Sequence, residues 1–120
     1  MDLRGKYDVI NIKLDKTGGL TEALALKQEA EALGLKVMVG AMIEGPIAIA
    51  AGVQFAVSLD NAILTDLDTD LDLPEYTDGH CAFDKGARSV ADAPGLGVTL
   101  NDEKLEKSIR QKQVVLQEIS

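Results

Sequence analysis

Residues 8–20 read DVINIKLDKTGGL, a strand pattern that ends near a lysine and is followed by a glycine turn and the start of a helix. Alternate side chains of a strand point to opposite faces. The apolar face consists of Ile10, Ile12 and Leu14, and the polar face of Asn11, Lys13 and Asp15. In a closed parallel barrel the polar set would point inward, and barrel enzymes keep their chemistry at the C-terminal strand ends. Lys13 is therefore a candidate catalytic lysine.

The same strand–turn–helix order continues along the chain. Strands are predicted over 8–14, 36–42 and 62–68, and helices over 21–33 and 46–59. Thr21 is the predicted N-cap of the first helix, Gly34 its stop, and Pro46 lies in the first turn of the second. A β-α-β-α-β order with short links predicts parallel βαβ units. Beyond residue 73 the sequence predicts a hairpin around 80–90 with its turn at 84–86, and a helix of about four turns that Asn101 caps.

Composition limits the possible partners and location. The 120 residues predict one domain, and the 46% apolar content can form a core although aromatic residues make up only 3%. A net charge of −8 argues against binding nucleic acid or an anionic membrane surface. The single cysteine, Cys81, excludes an internal disulfide and favours a reducing compartment. With no signal-peptide pattern and no apolar run near the ~20 residues of a membrane span, we expect a cytoplasmic protein.

Three parallel strands do not close a barrel, which needs eight strands and ~250 residues. The sequence therefore predicts an α/β fold of three βα units with a C-terminal hairpin and helix. That these units are the C-terminal (βα)₃ portion of a TIM-type (β/α)₈ barrel is what a resemblance to a known family implies. We expect residues 1–100 to form this partial barrel and residues 101–120 to form the terminal amphipathic helix.

Four short segments resemble the enolase superfamily in its muconate lactonizing subgroup, and most closely the dipeptide epimerases of the alanine–glutamate type. The segments are NIKLDKTGG at 11–19, VMVGAMIE at 37–44, TDLD at 65–68 and PGLG at 94–97. They look like the ends of the sixth, seventh and eighth barrel strands and the family's closing segment. The resemblance covers about residues 6–100.

The resemblance implies specific roles. Lys13 would be an acid/base lysine, Glu44 would lie near the substrate, and Asp66 and Asp68 would hold the α-ammonium group of a dipeptide. The family binds magnesium through three carboxylates on the third to fifth strands and carries a second catalytic lysine on the second strand. None of those strands is predicted here, so magnesium is implied but its ligands are expected outside this chain.

Structural readings of the same residues stay open. Lys13 could be a solvated lysine at a strand end, and Glu44 a solvated loop carboxylate. The aspartates could be charges that keep an exposed strand edge from pairing. An EF-hand is excluded because Leu71 stands at its glycine position and Thr77 at its glutamate position. His80 and Cys81 cannot form a zinc site alone and are read as structural residues of the hairpin.

Two classes of function follow. In the first, the chain is a fragment of a metal-dependent dipeptide epimerase that transfers a proton at Cα and is inactive alone. In the second, it is a non-catalytic, self-associating truncated barrel. A muconate-type cycloisomerase fragment is a third, weaker alternative, because an Asp-x-Asp pair suits a dipeptide better than an aromatic acid. A homo-oligomer is expected in either class, since three strands leave open edges.

Overall fold

A parallel sheet of three strands forms the centre of the fold. The computed structural model describes residues 5–73, 75–79, 81–90 and 92–118. The sheet consists of β1 (Val9–Lys13), β2 (Lys36–Gly40) and β3 (Ala62–Asp66), in the order β1-β2-β3. In its register Lys13 is paired with Gly40, and Gly40 with Asp66. The last residues of all three strands therefore lie side by side along one edge.

Three helices connect the strands: α1 (Leu14–Thr17), α2 (Leu20–Ala32) and α3 (Pro46–Val57). Two predicted boundaries are confirmed, since Pro46 is the first residue of α3 and Gly34 ends α2 with φ +73°. The N–H of Leu35 then donates to the carbonyl of Ala30 at 2.8 Å, which closes the last turn. The prediction of Thr21 as N-cap is wrong, because α2 begins at Leu20 and Gly19 occupies the cap position.

One face of the sheet carries the core. Ile12, Val37 and Val39 are completely buried beneath the helices. They form one cluster with residues of α2 and α3, among them Ala23, Ala30, Ile49, Val53 and Phe55. Burial of each large apolar side chain stabilises the fold by about 1.5–3 kcal/mol.

The opposite face of the sheet is much less covered. Leu64 on β3 is 58% exposed and Val9 on β1 is 38% exposed. Within β1 the predicted alternation is confirmed, since Ile12 is buried while Asn11 is exposed.

Each strand is shorter than the pattern predicted. Leu14 and Asp15 belong to α1 because the N–H groups of Gly18 and Gly19 both donate to the carbonyl of Leu14, at 3.1 and 3.0 Å. Strand β2 ends at Gly40 and β3 at Asp66. The chain leaves the sheet at each of these points, so alternation no longer assigns the faces of the residues that follow.

The C-terminal third contains short elements. A 3₁₀ turn (Thr69–Asp72) is followed by β4 (Thr77–Asp78), which pairs with β7 (Thr99–Leu100). The predicted hairpin is confirmed as β5 (Phe83–Asp84) and β6 (Ala87–Arg88), while His80 lies outside the described residues. Its turn residues Lys85 and Gly86 both have positive φ, 49° and 81°, as a two-residue hairpin turn of type I′ requires.

Helix α4 (Asp102–Glu118) ends the described chain. The predicted cap is confirmed, since Oδ1 of Asn101 accepts a hydrogen bond from the N–H of Lys104 at 3.0 Å. Of the helices in the described ranges, none combines the length and the apolar character that crossing a membrane would need.

Candidate functional site

The four predicted site residues all lie at the C-terminal edge of the sheet. Lys13 ends β1, Glu44 lies in the loop after β2, Asp66 ends β3 and Asp68 follows it. The Cα atoms of Lys13 and Asp66 are two strand spacings apart, or about 10 Å. Within the described ranges no hydrogen bond or ion pair joins Lys13 to the three carboxylates. The structure therefore gathers these residues along one edge of the sheet without direct pairing.

Lys13 reaches across β2. Its Nζ donates a hydrogen bond to the carbonyl oxygen of Ala41 at 2.8 Å and lies 3.5 Å from Sδ of Met42. The absence of a side chain at Gly40 makes this path possible, since a Cβ there would lie 3.2 Å from Cε of Lys13 and 2.8 Å from Oδ1 of Asn11. The side chain is half-buried. The amine is thus held over the middle strand rather than extended into solvent.

Glu44 folds back onto its own loop. Its Oε1 accepts a hydrogen bond from the N–H of Met42 at 3.1 Å. Its backbone is tied to the next loop, because its N–H donates to Oγ1 of Thr69 at 3.1 Å and that hydroxyl donates to its carbonyl at 3.2 Å. No signal in the sequence indicated Thr69, since a threonine 25 positions away has no spacing that marks it as a partner.

Asp66 and Asp68 are both exposed. The prediction that they occupy alternate positions of one strand is wrong. The strand ends at Asp66, and Asp68 precedes the 3₁₀ turn, where its carbonyl accepts from the N–H of Leu71 at 3.0 Å. Leu67 between them is buried, and its side chain packs against Gly52 of α3. Neither carboxylate is hydrogen-bonded within the described ranges, so both are open to an ammonium group, which offers three donors.

A buried ion pair lies behind this edge. The guanidinium of Arg88 donates to both carboxylate oxygens of Asp70 and to the carbonyl of Cys81, the last at 2.9 Å. The two side chains are only 8% and 12% exposed. The pattern of alternating aspartates assigned Asp70 no separate role, and nothing in the sequence marked Arg88 as its partner.

The ion pair lines a cavity of about 340 Å³ together with apolar residues, among them Pro46, Leu71 and Phe83. Cys81 also lines this cavity and is buried, and burial raises the pKa of its thiol. A thiol with a raised pKa carries little thiolate at neutral pH and is unreactive. Cys81 therefore acts as a packed core residue, as the sequence predicted for the hairpin.

A magnesium site is not formed by the residues that the structure describes. Among them, no three His, Cys, Asp or Glu side chains converge to hold a metal ion. The carboxylates at the sheet edge do not have the arrangement of a metal centre, so the described residues by themselves do not fit a magnesium ion.

Comparison with known proteins now identifies the family. Residues 3–104 match the family described as enolase C-terminal domain-like. The chain belongs to this family. The hydrophobic dipeptide epimerase of Roseobacter litoralis is 40% identical over 94 residues, which cover 78% of this chain and 26% of that protein. The resemblance drawn from the sequence is thereby confirmed.

Solved structures of epimerases share the same backbone arrangement. The L-Ala-D/L-Glu epimerase from Bacillus subtilis, solved as a substrate-liganded complex, matches with a TM-score of 0.72 and 39% identity over 76% of this chain. The dipeptide epimerase from Methylococcus capsulatus, complexed with magnesium and the dipeptide L-Arg-D-Lys, matches with a TM-score of 0.72 and 35% identity over 76% of this chain. The chain therefore has the predicted α/β fold of the C-terminal barrel portion.

The match spans only part of these relatives. This chain covers 26% of the Bacillus subtilis chain and 26% of the Methylococcus capsulatus chain. The named activities belong to those whole proteins.

Proposed function

We propose that this enolase C-terminal domain-like chain supplies the acid/base lysine and the ammonium-binding carboxylates of a dipeptide epimerase. The observation that carries the proposal is the position of Lys13, whose side chain crosses Gly40 and whose amine binds the Ala41 carbonyl at the edge where Asp66 and Asp68 are exposed. A primary amine at a strand end can take or return a proton at the Cα of a bound substrate. The exposed carboxylates can orient that substrate through its α-ammonium group.

In this proposal Glu44 borders the substrate from the middle strand. Its side chain closes the loop that carries Ala41 and Met42, the two residues that Nζ of Lys13 contacts. Glu44 would thus lie between the lysine and the aspartates along the edge of the sheet. The rest of the barrel would supply the opposing acid/base group and the magnesium ligands, and the reaction is racemisation or epimerisation at Cα.

We propose further that the substrate is a dipeptide and that the protein is cytoplasmic and homo-oligomeric. In the same proposal, residues 1–100 form the barrel portion and residues 101–120 form a separate terminal helix. The non-catalytic alternative is supported by the uncovered face of the sheet, where Leu64 is 58% exposed. The muconate-type cycloisomerase is a weaker alternative, because two open carboxylates disfavour a substrate that is itself an anion.

A chimera tests the proposal. Residues 3–104 replace the matching segment of the Roseobacter litoralis epimerase, and NMR follows the incorporation of deuterium from ²H₂O at the Cα of hydrophobic dipeptides. We expect the chimera to exchange the α-proton and Lys13→Ala to abolish exchange from at least one face. Lys16→Ala is the matched control, because Lys16 lies one turn further on and pairs only with Asp15, at 3.6 Å, in the described ranges. Exchange from both faces in a folded Lys13→Ala chimera would end the catalytic assignment.

A further inference from the structure

A chain of hydrogen bonds connects the ends of all three strands. It begins at Nζ of Lys13, which donates to the carbonyl of Ala41 at 2.8 Å. It continues in the loop of residues 41–45, where Met42 donates its N–H to Oε1 of Glu44 at 3.1 Å. It ends at Thr69, after β3, whose hydroxyl bonds both the N–H and the carbonyl of Glu44.

The hydroxyl of Thr69 has a role that few side chains can fill. It accepts from the N–H of Glu44 at 3.1 Å and donates to the carbonyl of the same residue at 3.2 Å. Only a group that is both donor and acceptor can make the two bonds at once, and a hydroxyl is the smallest such group. The two bonds attach the 41–45 loop to the end of β3, and the loop in turn presents the Ala41 carbonyl to Lys13.

We propose that Thr69 is a positioning residue for Lys13. The N–H of Ala41 donates to the carbonyl of Asp66 at 3.0 Å, and the two bonds between Thr69 and Glu44 hold the other end of the 41–45 loop. Together these bonds set the place of the Ala41 carbonyl and, through it, of the lysine amine. The inference rests on the proposed function for its catalytic meaning, because it adds a residue from the 3₁₀ turn after β3 to the support of the acid/base group. Thr69 itself does not touch Lys13 or the substrate.

Competitive acetylation of the 120-residue chain tests this without any assay of activity. A limiting amount of acetic anhydride is added to the folded protein, which is then digested, and mass spectrometry gives the acetylation of Lys13 relative to Lys36. Lys36 is an exposed lysine at the start of β2 and serves as the internal reference. An amine held by a carbonyl acceptor reacts more slowly than a free one, so loosening the loop should increase this ratio.

Thr69→Val removes the hydroxyl and keeps the shape of the side chain. We expect it to raise the Lys13 to Lys36 ratio by up to about fivefold, the factor that complete loss of one hydrogen bond of average net strength represents. Thr69→Ser should restore the wild-type ratio, since it restores the hydroxyl. Thr65→Val, the same change at an exposed position within β3, should leave the ratio unchanged. A folded Thr69→Val protein with the wild-type ratio would overturn the proposal.

Circular dichroism establishes whether Thr69→Val folds. If Thr69→Val does not fold, amide hydrogen exchange of the wild-type chain tests the bond between Thr69 and Glu44 instead. If this bond persists in solution, the Glu44 N–H should exchange at least about tenfold more slowly than an unstructured amide. Free exchange at Glu44 would overturn the inference. A chimera without Cα proton exchange, combined with the expected acetylation pattern, would instead refute the proposed function and leave the positioning of Lys13 standing.

Discussion

The side chain of Lys13 lies across Gly40, so that a Cβ on Gly40 would lie 3.2 Å from Cε of the lysine. The two residues are register partners on adjacent parallel strands. A glycine at the end of the middle strand leaves a path along which the lysine reaches the carbonyl of Ala41. The position of the candidate acid/base group therefore depends on a residue that has no side chain.

Gly40→Ala should displace Lys13 while leaving the fold intact. The new Cβ meets the ends of two flexible side chains, at 2.8 Å from Oδ1 of Asn11 and 3.2 Å from Cε of Lys13, and both can move. We expect the free energy of unfolding to fall by at most about 1–2 kcal/mol, and Cα proton exchange in the chimera to fall at least about tenfold. Adding Asn11→Ala removes the closer contact and should restore part of the stability but not the exchange. Wild-type exchange in Gly40→Ala would show that the path over Gly40 is unimportant.

Asp66→Asn and Asp68→Asn should weaken the binding of a dipeptide more than that of its N-acetylated analogue. Only the free amine carries an ammonium group for these exposed carboxylates to bind. A lost charge-assisted hydrogen bond costs about 1.5–3 kcal/mol, or roughly a 10- to 150-fold loss of affinity. Isothermal titration of the chimera with both ligands measures the difference. Equal losses for the two ligands would favour the view that these aspartates only protect a strand edge.

Arg88→Met should destabilise the chain strongly, because it leaves the Asp70 carboxylate buried without its partner. Removing one member of a buried pair costs about 3–5 kcal/mol. Arg110→Met is the control, since Arg110 and Glu106 form an exposed pair, 77% and 66% accessible, that should contribute less than about 0.5 kcal/mol. Urea denaturation measures both. The double variant Arg88→Met/Asp70→Leu should recover part of the loss, and its failure to do so would assign the effect to packing instead.

The junction between β4 and α4 should depend on pH. Hydrogen bonds from Asn101 and then Lys104 lower the pKa of Asp78, while the bond to Asp78 raises the pKa of Lys104. The lowered carboxyl pKa means that this stabilisation is complete above the unfolded value of about 4 and is lost as the pH falls through the folded value. The raised pKa of the Lys104 ammonium group means that the stabilisation from this group is complete below about pH 10 and is lost as the pH rises through the folded pKa.

Lys104→Met therefore should lower the thermal midpoint at pH 7 by about 1–3 °C, a small effect because the pair is exposed. The difference from wild type should shrink as the pH falls through the folded pKa of Asp78, and a part should remain because Nζ of Lys104 also donates to the carbonyl of Thr77 at 2.8 Å. Lys107→Met, on the next turn of α4, should have no such pH-dependent effect. A Lys104→Met difference of equal size at pH 7 and pH 2 would contradict the assignment.

The chain should self-associate through the uncovered face of the sheet. Leu64 is 58% exposed there, and large apolar patches on a protein surface usually mark interfaces. We expect sedimentation equilibrium at micromolar concentration to show a dimer, and Leu64→Lys to weaken it at least about tenfold. Val57→Lys is the control, because Val57 is 61% exposed at the end of α3 on the helical side. A stable, cooperatively folding monomer of 12.8 kDa would contradict the prediction.

The sequence by itself determined the order of the main elements and the edge where the site lies. Alternation in β1, Pro46 at the start of α3 and the αL glycine after α2 are local signals, and each was sufficient because propensity and patterning agreed with the tertiary fold. The segments around Lys13, Glu44 and Asp66 also carried enough information to indicate the family that the comparison established.

Only the tertiary structure decided where each strand ends and what each polar group binds. Leu67 is buried against Gly52, so the chain leaves the sheet after Asp66, although the aspartate pattern continues. The partners of Lys13, Glu44 and Asp70 are 28, 25 and 18 residues distant in the chain. Such pairings depend on which loops the parallel strands bring to one edge of the sheet. No local spacing in the sequence indicates which distant residues will meet there.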